Sequence, residues 1–366
     1  MRSLFVTIVV LLSGVTLWYR RWLMHHTKKA SAESYVIQTA RGPVEADMRG
    51  NGPVVLHFHG GNVGHNGWFM LAHLLDKGFQ VLTPDRPGYL GTPLAENNTP
   101  EAQADLMAAL LDELNVERVA VIGVSAGGPG ALQFALRHPS RTCCLVLLSA
   151  ITKRTTLTDD QLNSTLGKLV MTRRFQNPAY FLIHQAMTRI PKLALRDFVQ
   201  TETTYTPEQG QHYINQIMAD PEQRRQVQAL ANAIVPALPR FDGVMNDLEV
   251  QQSLDDLPLE RIDVPTLIVH SRNDGDVPYE NATFAARTIP NAELITVDQF
   301  GHFVWWARSR SWSAVVRLAR GSGQSSTNGA DCRRWKAIGL SVMPTNCARS
   351  NGRIYFRNWR STVPIK

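Results

Sequence analysis

The chain has 366 residues, 44% of them hydrophobic and 19% charged, with a formal net charge of +7. That is enough chain for one large domain with an insertion or for two modest domains, and the balance excludes disordered, collagen-like and disulfide-scaffold classes. The positive charge does not mark a nucleic-acid binder: residues 307–366 hold twelve Lys and Arg against the single acid Asp331, leaving the rest of the chain at about −4.

Residues 4–19 run without a charge, between Arg2 and the group Arg20, Arg21, Lys28 and Lys29. A hydrocarbon core needs about 20 apolar residues, so this span crosses only if residues 22–24 extend it while the arginines snorkel. Trp18, Tyr19 and Trp22 cluster at its far end as interfacial aromatics do. Residues 1–30 therefore read as a single-span membrane anchor. The alternative is a cleaved signal peptide ending at Ala30-Ser31-Ala32, against which stand the polar and basic residues between the apolar core and that site. Basic flanks after the span favour a cytoplasmic catalytic domain, whereas cleavage would make the protein secreted or periplasmic.

From Ser34 onward, short β-rich runs alternate with helical stretches, which predicts a mostly parallel sheet with helices on both faces. The expected elements are an antiparallel pair at 35–39 and 44–48, strand 54–58 running into His59-Gly60-Gly61, helix 69–75 and strand 80–83. Helix 102–114 follows the cap Thr99-Pro100-Glu101, and then come strand 118–124, helix 128–137 and strand 143–148. The last of these includes Cys143 and Cys144, read as buried strand residues; none of the four cysteines has zinc-site spacing. Residues 151–260 then show helical stretches (158–170, 178–188, 208–217, 223–233) and no strand. Strand and helix resume at 266–270, 280–288 and 293–297. A helical block between two strands reads as a lid over the strand ends, where open α/β sheets bind ligands. The predicted organisation is a core formed by 34–150 and 261–318, the lid 151–260, and a basic tail 319–366.

Gly123-Val124-Ser125-Ala126-Gly127 fits G-x-S-x-G between a strand and a helix, where small neighbours leave a serine hydroxyl standing clear of a sharp turn. A phosphate loop would need a following Lys or G-x-G-x-x-G, and neither is present. With this motif stand His59-Gly60-Gly61, Asp85-Arg86-Pro87-Gly88-Tyr89, Asn273-Asp274-Gly275-Asp276-Val277-Pro278 and Gly301-His302. In this order they resemble the α/β-hydrolase superfamily, in its lid-bearing serine esterase, lipase and peptidase branch, over residues 34–306.

The resemblance implies Ser125 as nucleophile, Asp274 as orienting acid and His302 as base, with Asp276 competing for the acid's role. It also implies an oxyanion hole from the backbone N–H groups of Gly61 and Ala126, and no metal or organic cofactor. Relatives often read His-Gly-x-Pro-Gly where this chain has His59-Gly60-Gly61-Asn62-Val63-Gly64. Asp85 and Arg86 read as braces for the surrounding loops, and His59, His184 and His270 as core or loop histidines. A serine at the elbow predicts acyl transfer on esters, amides, thioesters or β-diketone-like carbon–carbon bonds. The leading expectation is a membrane-associated esterase acting on small or lipid-like acyl substrates. A prolyl-type aminopeptidase would need lid carboxylates to hold an amine, for which Glu202, Glu208, Glu222, Asp242 and Asp247 are available. A catalytically idle ligand-binding member of the fold is the third alternative. After Trp306 the family expects one amphipathic helix, whereas the arginine-rich sequence here suggests an unstructured extension or an altered reading frame beyond it.

Overall fold

A computed structural model describes residues 2–156, 171–306 and 310–319. Eight strands form one sheet: β1 (Tyr35–Thr39), β2 (Gly42–Gly50), β3 (Val54–Phe58), β4 (Gln80–Pro84), β5 (Val119–Val124), β6 (Thr142–Leu148), β7 (Thr266–Ser271) and β8 (Ala292–Val297). Their order is β1-β2-β4-β3-β5-β6-β7-β8; β1 and β2 are antiparallel and everything from β4 to β8 is parallel. Both central strands, β5 and β6, are buried along their whole length, as a sheet covered on two faces requires.

Side chains alternate between two cores. Ala120, Ile122, Val124, Cys144, Val146 and Leu148 point to one, and Val119, Val121, Leu145 and Leu147 to the other. The second face is covered by α3 (Pro100–Glu113), α4 (Gly128–Arg137) and α10 (Glu280–Thr288). The first receives α2 (Ala72–Leu75) through Leu74 and α11 (Arg310–Ala319) through Ala314, Val315 and Ala319, and the same core continues to Trp22 of α1 (Arg2–Ala30), which packs on Phe181 and His184. The chain after Trp306 thus does supply a helix with a buried face, despite its arginines; residues 320–366 lie outside the described residues.

Between β6 and β7 the described chain is helical: α5 (Gln176–Arg189), α6 (Pro191–Glu202), α7 (Pro207–Ala219), α8 (Pro221–Ala233) and α9 (Phe241–Ser253). The helix expected at 158–170 lies outside the described residues. Helices α5, α7 and α8 match expectation, while α6 and α9 fall where no helix was read. The expected helix 69–75 is mostly a 3-10 run (His65–Leu71) leading into the single α-turn of α2. The cap before α3 is as read, with Thr99 Oγ1 accepting the Ala102 N–H at 3.2 Å.

Candidate active site

Ser125 stands at the end of β5, in the sharp turn Ser125–Gly127 that leads into α4, with φ 50. A non-glycine residue held there stores on the order of 1–3 kcal/mol, so the surroundings must enforce it. They do so by close packing. A side chain at Gly123 would come 2.7 Å from Ala131 Cβ, and one at Gly127 would collide with the Phe58 carbonyl oxygen. The turn is thus pressed between β3 and α4. The loop after β3 lies against it, since a Cβ on Gly60 would sit 3.3 Å from Ser125 Cβ. Gly61 in that loop and Ala126 in the turn are both partly accessible.

Buried polar groups fix the His59 loop. The His59 Nε2 accepts the Arg86 backbone N–H at 3.0 Å, so the ring proton resides on Nδ1, which donates to Gly60 O at 2.8 Å. Burial, reinforced by the Arg86 charge, holds this imidazole well below the usual histidine range, and it is neutral. Arg86 Nε donates to His59 O at 2.8 Å, and its two terminal nitrogens donate to Asp247 of α9 at 2.6 Å each. Asp85 accepts the His65 N–H and contacts the His65 ring. Asp85 and Arg86 are therefore braces, as the sequence suggested.

Asp274 and His302 come together from the loops after β7 and β8. His302 Nδ1 lies 3.1 and 3.0 Å from the two Asp274 oxygens, and both residues are buried. The Asp274 Oδ1 also accepts the N–H groups of Asp276 and Val277, at 3.0 and 2.9 Å. On its other side, His270 Nε2 lies 3.2 Å from Oδ2 and donates to Val277 O at 2.9 Å. Sequence reading treats His270 as a core histidine and misses this second imidazole on Asp274. Burial pushes the Asp274 carboxyl up, but the two histidines prevail and hold it well below the usual carboxylate range.

Asp276 is on the opposite side of the His302 ring, with Oδ2 3.5 Å from Nε2. Glu202 joins it: ligand atoms of Glu202, Asp276 and His302 lie within 4.8 Å of one another. Burial lowers the His302 imidazolium, yet Asp274, Asp276 and Glu202 outweigh it and lift it to about 10. Burial and the neighbouring Asp276 push Glu202 up to about 8. The structure does not place Ser125 Oγ and His302 in a hydrogen bond; the resting ring turns its free nitrogen towards Asp276.

Glu202 was read only as one of five unpatterned acids, and its position is the main thing the sequence did not disclose. Of the others, Asp247 is bound to Arg86, Asp242 to Arg173 at 2.5 Å and Glu222 to Arg225. Glu202 ends α6, and its carbonyl oxygen accepts the N–H groups of His302 at 3.0 Å and Gly275 at 3.2 Å. Thr203 forms an antiparallel bridge with Asp274, and the Thr204 N–H donates to Asn273 O at 3.0 Å. Gly301, at φ 53, admits this strand-like segment, since a side chain there would collide with Thr203. The insertion also grips the His59 loop, through Tyr180 Oη donating to Asn62 Oδ1 at 2.7 Å and Arg240 Nε donating to Val63 O at 3.2 Å. A second cluster with spacing a metal ion could use is Glu45, His65 and Asp85. There both ring nitrogens of His65 are committed, to Asp85 and to Ala30 O.

A sequence model described as alpha/beta hydrolase fold matches residues 53–308. A 2-hydroxy-6-oxononadienedioate/2-hydroxy-6-oxononatrienedioate hydrolase from Pseudomonas sp is 26% identical over 281 residues, covering 75% of this chain and 90% of the relative. A pimeloyl-[acyl-carrier protein] methyl ester esterase from Aromatoleum aromaticum is 29% identical over 264 residues, covering 69% of this chain and 92% of the relative. Among solved structures, an alpha/beta hydrolase fold protein from Nakamurella multipartita is 32% identical with a TM-score of 0.69, covering 79% of this chain and all of that one. With the sheet order and the turn at Ser125 already matching, the chain belongs to the alpha/beta hydrolase fold family.

Proposed function

We propose that the protein is a serine hydrolase that cleaves carboxylic esters of small or lipid-like substrates through an acyl-enzyme. The observation that carries this reading is Ser125 held at φ 50 on the turn between β5 and α4, in a chain whose His302 is bonded to Asp274. Ser125 Oγ attacks the ester carbonyl while His302 Nε2 takes its proton. The backbone N–H groups of Gly61 and Ala126 hold the oxyanion. Collapse of the tetrahedral species breaks the carbon–oxygen bond to the alcohol, which leaves with the proton from His302. Water then attacks the acyl group, His302 accepts its proton, and release of the acid restores Ser125. Asp274 keeps the ring proton on Nδ1. Productive geometry requires Nε2 to exchange Asp276 for Ser125, a tightening common on going from resting enzyme to substrate complex.

Helices α5–α9 act as a lid whose contacts with Asn62, Val63, Arg86 and the loops of Asp274 and His302 set the substrate's room. Helix α1 is long and apolar enough to cross a membrane by length and composition, and anchors the enzyme there. Its last turns support retention over cleavage at Ala30-Ser31-Ala32, since removal would strip Trp22 and His26 from their contacts with Phe181 and His184.

One observation favours a second reading. The Glu202–Asp276 pair beside His302 supplies two carboxyl groups that an amine-bearing substrate of an aminopeptidase would need. A fluorophosphonate probe tests the nucleophile: wild-type chain labels at Ser125, and Ser125→Ala and His302→Ala do not. An unlabelled wild type would return the idle-fold alternative. A panel of p-nitrophenyl esters of rising chain length, proline anilide and a 6-oxo-dienoate then separates ester cleavage from the peptidase reading and from the activity named for the Pseudomonas relative.

A further inference from the structure

We infer that the elbow between α5 and α6 is a second membrane contact, with Leu182, Ile190 and Leu193 entering the lipid surface that α1 enters. This rests on the reading of α1 as an anchor. Helix α1 divides at Trp18. Before it, Phe5, Val6, Val9, Val10, Leu11, Leu12, Val15 and Leu17 are exposed, while after it Trp22 and His26 are buried against α5. Trp18 marks the level at which the helix leaves the folded body. Its ring meets Phe181 edge-on at 4.8 Å and carries the Arg189 guanidinium 4.9 Å from its centre. Arg189 is the last residue of α5, so the level set by Trp18 passes through the elbow.

The elbow exposes Ile190 at 52% and Leu193 at 56%, and two turns back along α5, beside the Phe181 that meets Trp18, Leu182 is exposed at 66%. Leu182 and Arg189 are seven residues apart, hence on one face of α5. The exposed cations Arg189, Lys192 and Arg196 share the α5–α6 stretch with these residues, and the exposed Arg20 and Arg21 follow Trp18 on α1, with Asp197 as the nearby exposed acid in α6. Exposed aliphatic tips with exposed Lys and Arg beside them in the chain fit an interface of acyl chains below anionic headgroups. The committed occupant is thus the anionic bilayer that receives α1, and not a protein partner. The consequence is mechanical. From Leu193, α6 runs directly to Glu202, whose carbonyl holds the His302 and Gly275 N–H groups, so the lipid surface and the proposed base are joined by one helix.

The test uses the full chain in phosphatidylcholine–phosphatidylglycerol liposomes, with Cys332→Ser and Cys347→Ser and an environment-sensitive nitrobenzoxadiazole label on one introduced cysteine. The positions are Leu12→Cys in the anchor, Leu193→Cys in the elbow, and Glu113→Cys on α3, across the sheet. Brominated lipid should quench the labels at 12 and 193 and leave the one at 113 bright. Quenching at 12 without quenching at 193 overturns the elbow contact while the anchor stands; quenching at neither removes the anchor reading as well. The triple variant Leu182→Ser, Ile190→Ser, Leu193→Ser should cleave a vesicle-embedded ester about tenfold more slowly and a soluble short-chain ester at the wild-type rate. Equal rates on the vesicle ester would contradict the inference.

Discussion

Three carboxyl groups crowd the proposed base. Asp274 holds Nδ1, while Asp276 and Glu202 approach from the Nε2 side, and together they raise His302 to about 10. A base must be unprotonated to accept the serine proton, so kcat/KM should climb on the alkaline side of neutrality, later than for an ordinary histidine. Glu202, itself lifted to about 8, ionises as pH rises through that value and then adds a negative charge that helps His302 keep its proton. Glu202→Gln cannot ionise. Its His302 should lose the proton at lower pH, shifting the kcat/KM profile in the acid direction and raising the rate at pH 9 several-fold. A profile that coincides with wild type would reject this coupling. Ser125, Asp274 and His302 were open to proposal from the sequence because each lies in a short motif next to a strand end. Glu202 was not, because its role depends on a bridge between Thr203 and Asp274, 71 positions apart, that no local spacing encodes.

At the level of elements, α6 and α9 went unread for different reasons. Helix α6 buries only Leu195 and Val199, a stripe too narrow to show as periodicity among charged neighbours. Helix α9 buries Gly243, Asn246, Asp247 and Gln251, so its inner face is polar and small. It docks by hydrogen bonding, with the Gly243 N–H donating to Gly88 O at 2.9 Å and Asp247 accepting Arg86 and Tyr89. Hydrophobic patterning cannot find a helix held this way. The strands, by contrast, needed only apolar runs bounded by turns, and their boundaries fell within a residue or two of expectation. The polar docking also predicts a stability pattern. Asp247→Ala leaves the buried Arg86 guanidinium without its carboxylate and should cost about 3–5 kcal/mol. Replacing the pair as Arg86→Met with Asp247→Leu should recover much of that loss. Urea denaturation midpoints compare the two, and a double variant no more stable than the single one would show that the ion pair is not the source of the cost.

For the molecule as a whole, the question is whether α1 is a tether on a finished domain or part of the domain. Its C-terminal half argues for the second. Trp22 is buried among Tyr19, His26, Phe181 and His184, and its Nε1 donates to His184 Nδ1 at 3.2 Å. The end of the helix is held from the sheet side, where His65 Nε2 donates to Ala30 O at 2.8 Å and His65 Nδ1 contacts Asp85. Helix α1 therefore bridges the insertion and the loops after β3 and β4, and the insertion loses a supporting wall when the bridge fails. Trp22→Ala should destabilise by about 3–5 kcal/mol if the site cannot collapse, but the loss should be local. Hydrogen exchange in α5 should accelerate by several orders of magnitude while the amides of β5 and β6, buried on both faces of the sheet, keep their protection. If protection fell equally in β5, β6 and α5, the insertion and sheet would be one cooperative unit. If it fell nowhere, α1 would be a tether after all, and the path from lipid to His302 would have to run through α5 and α6 alone.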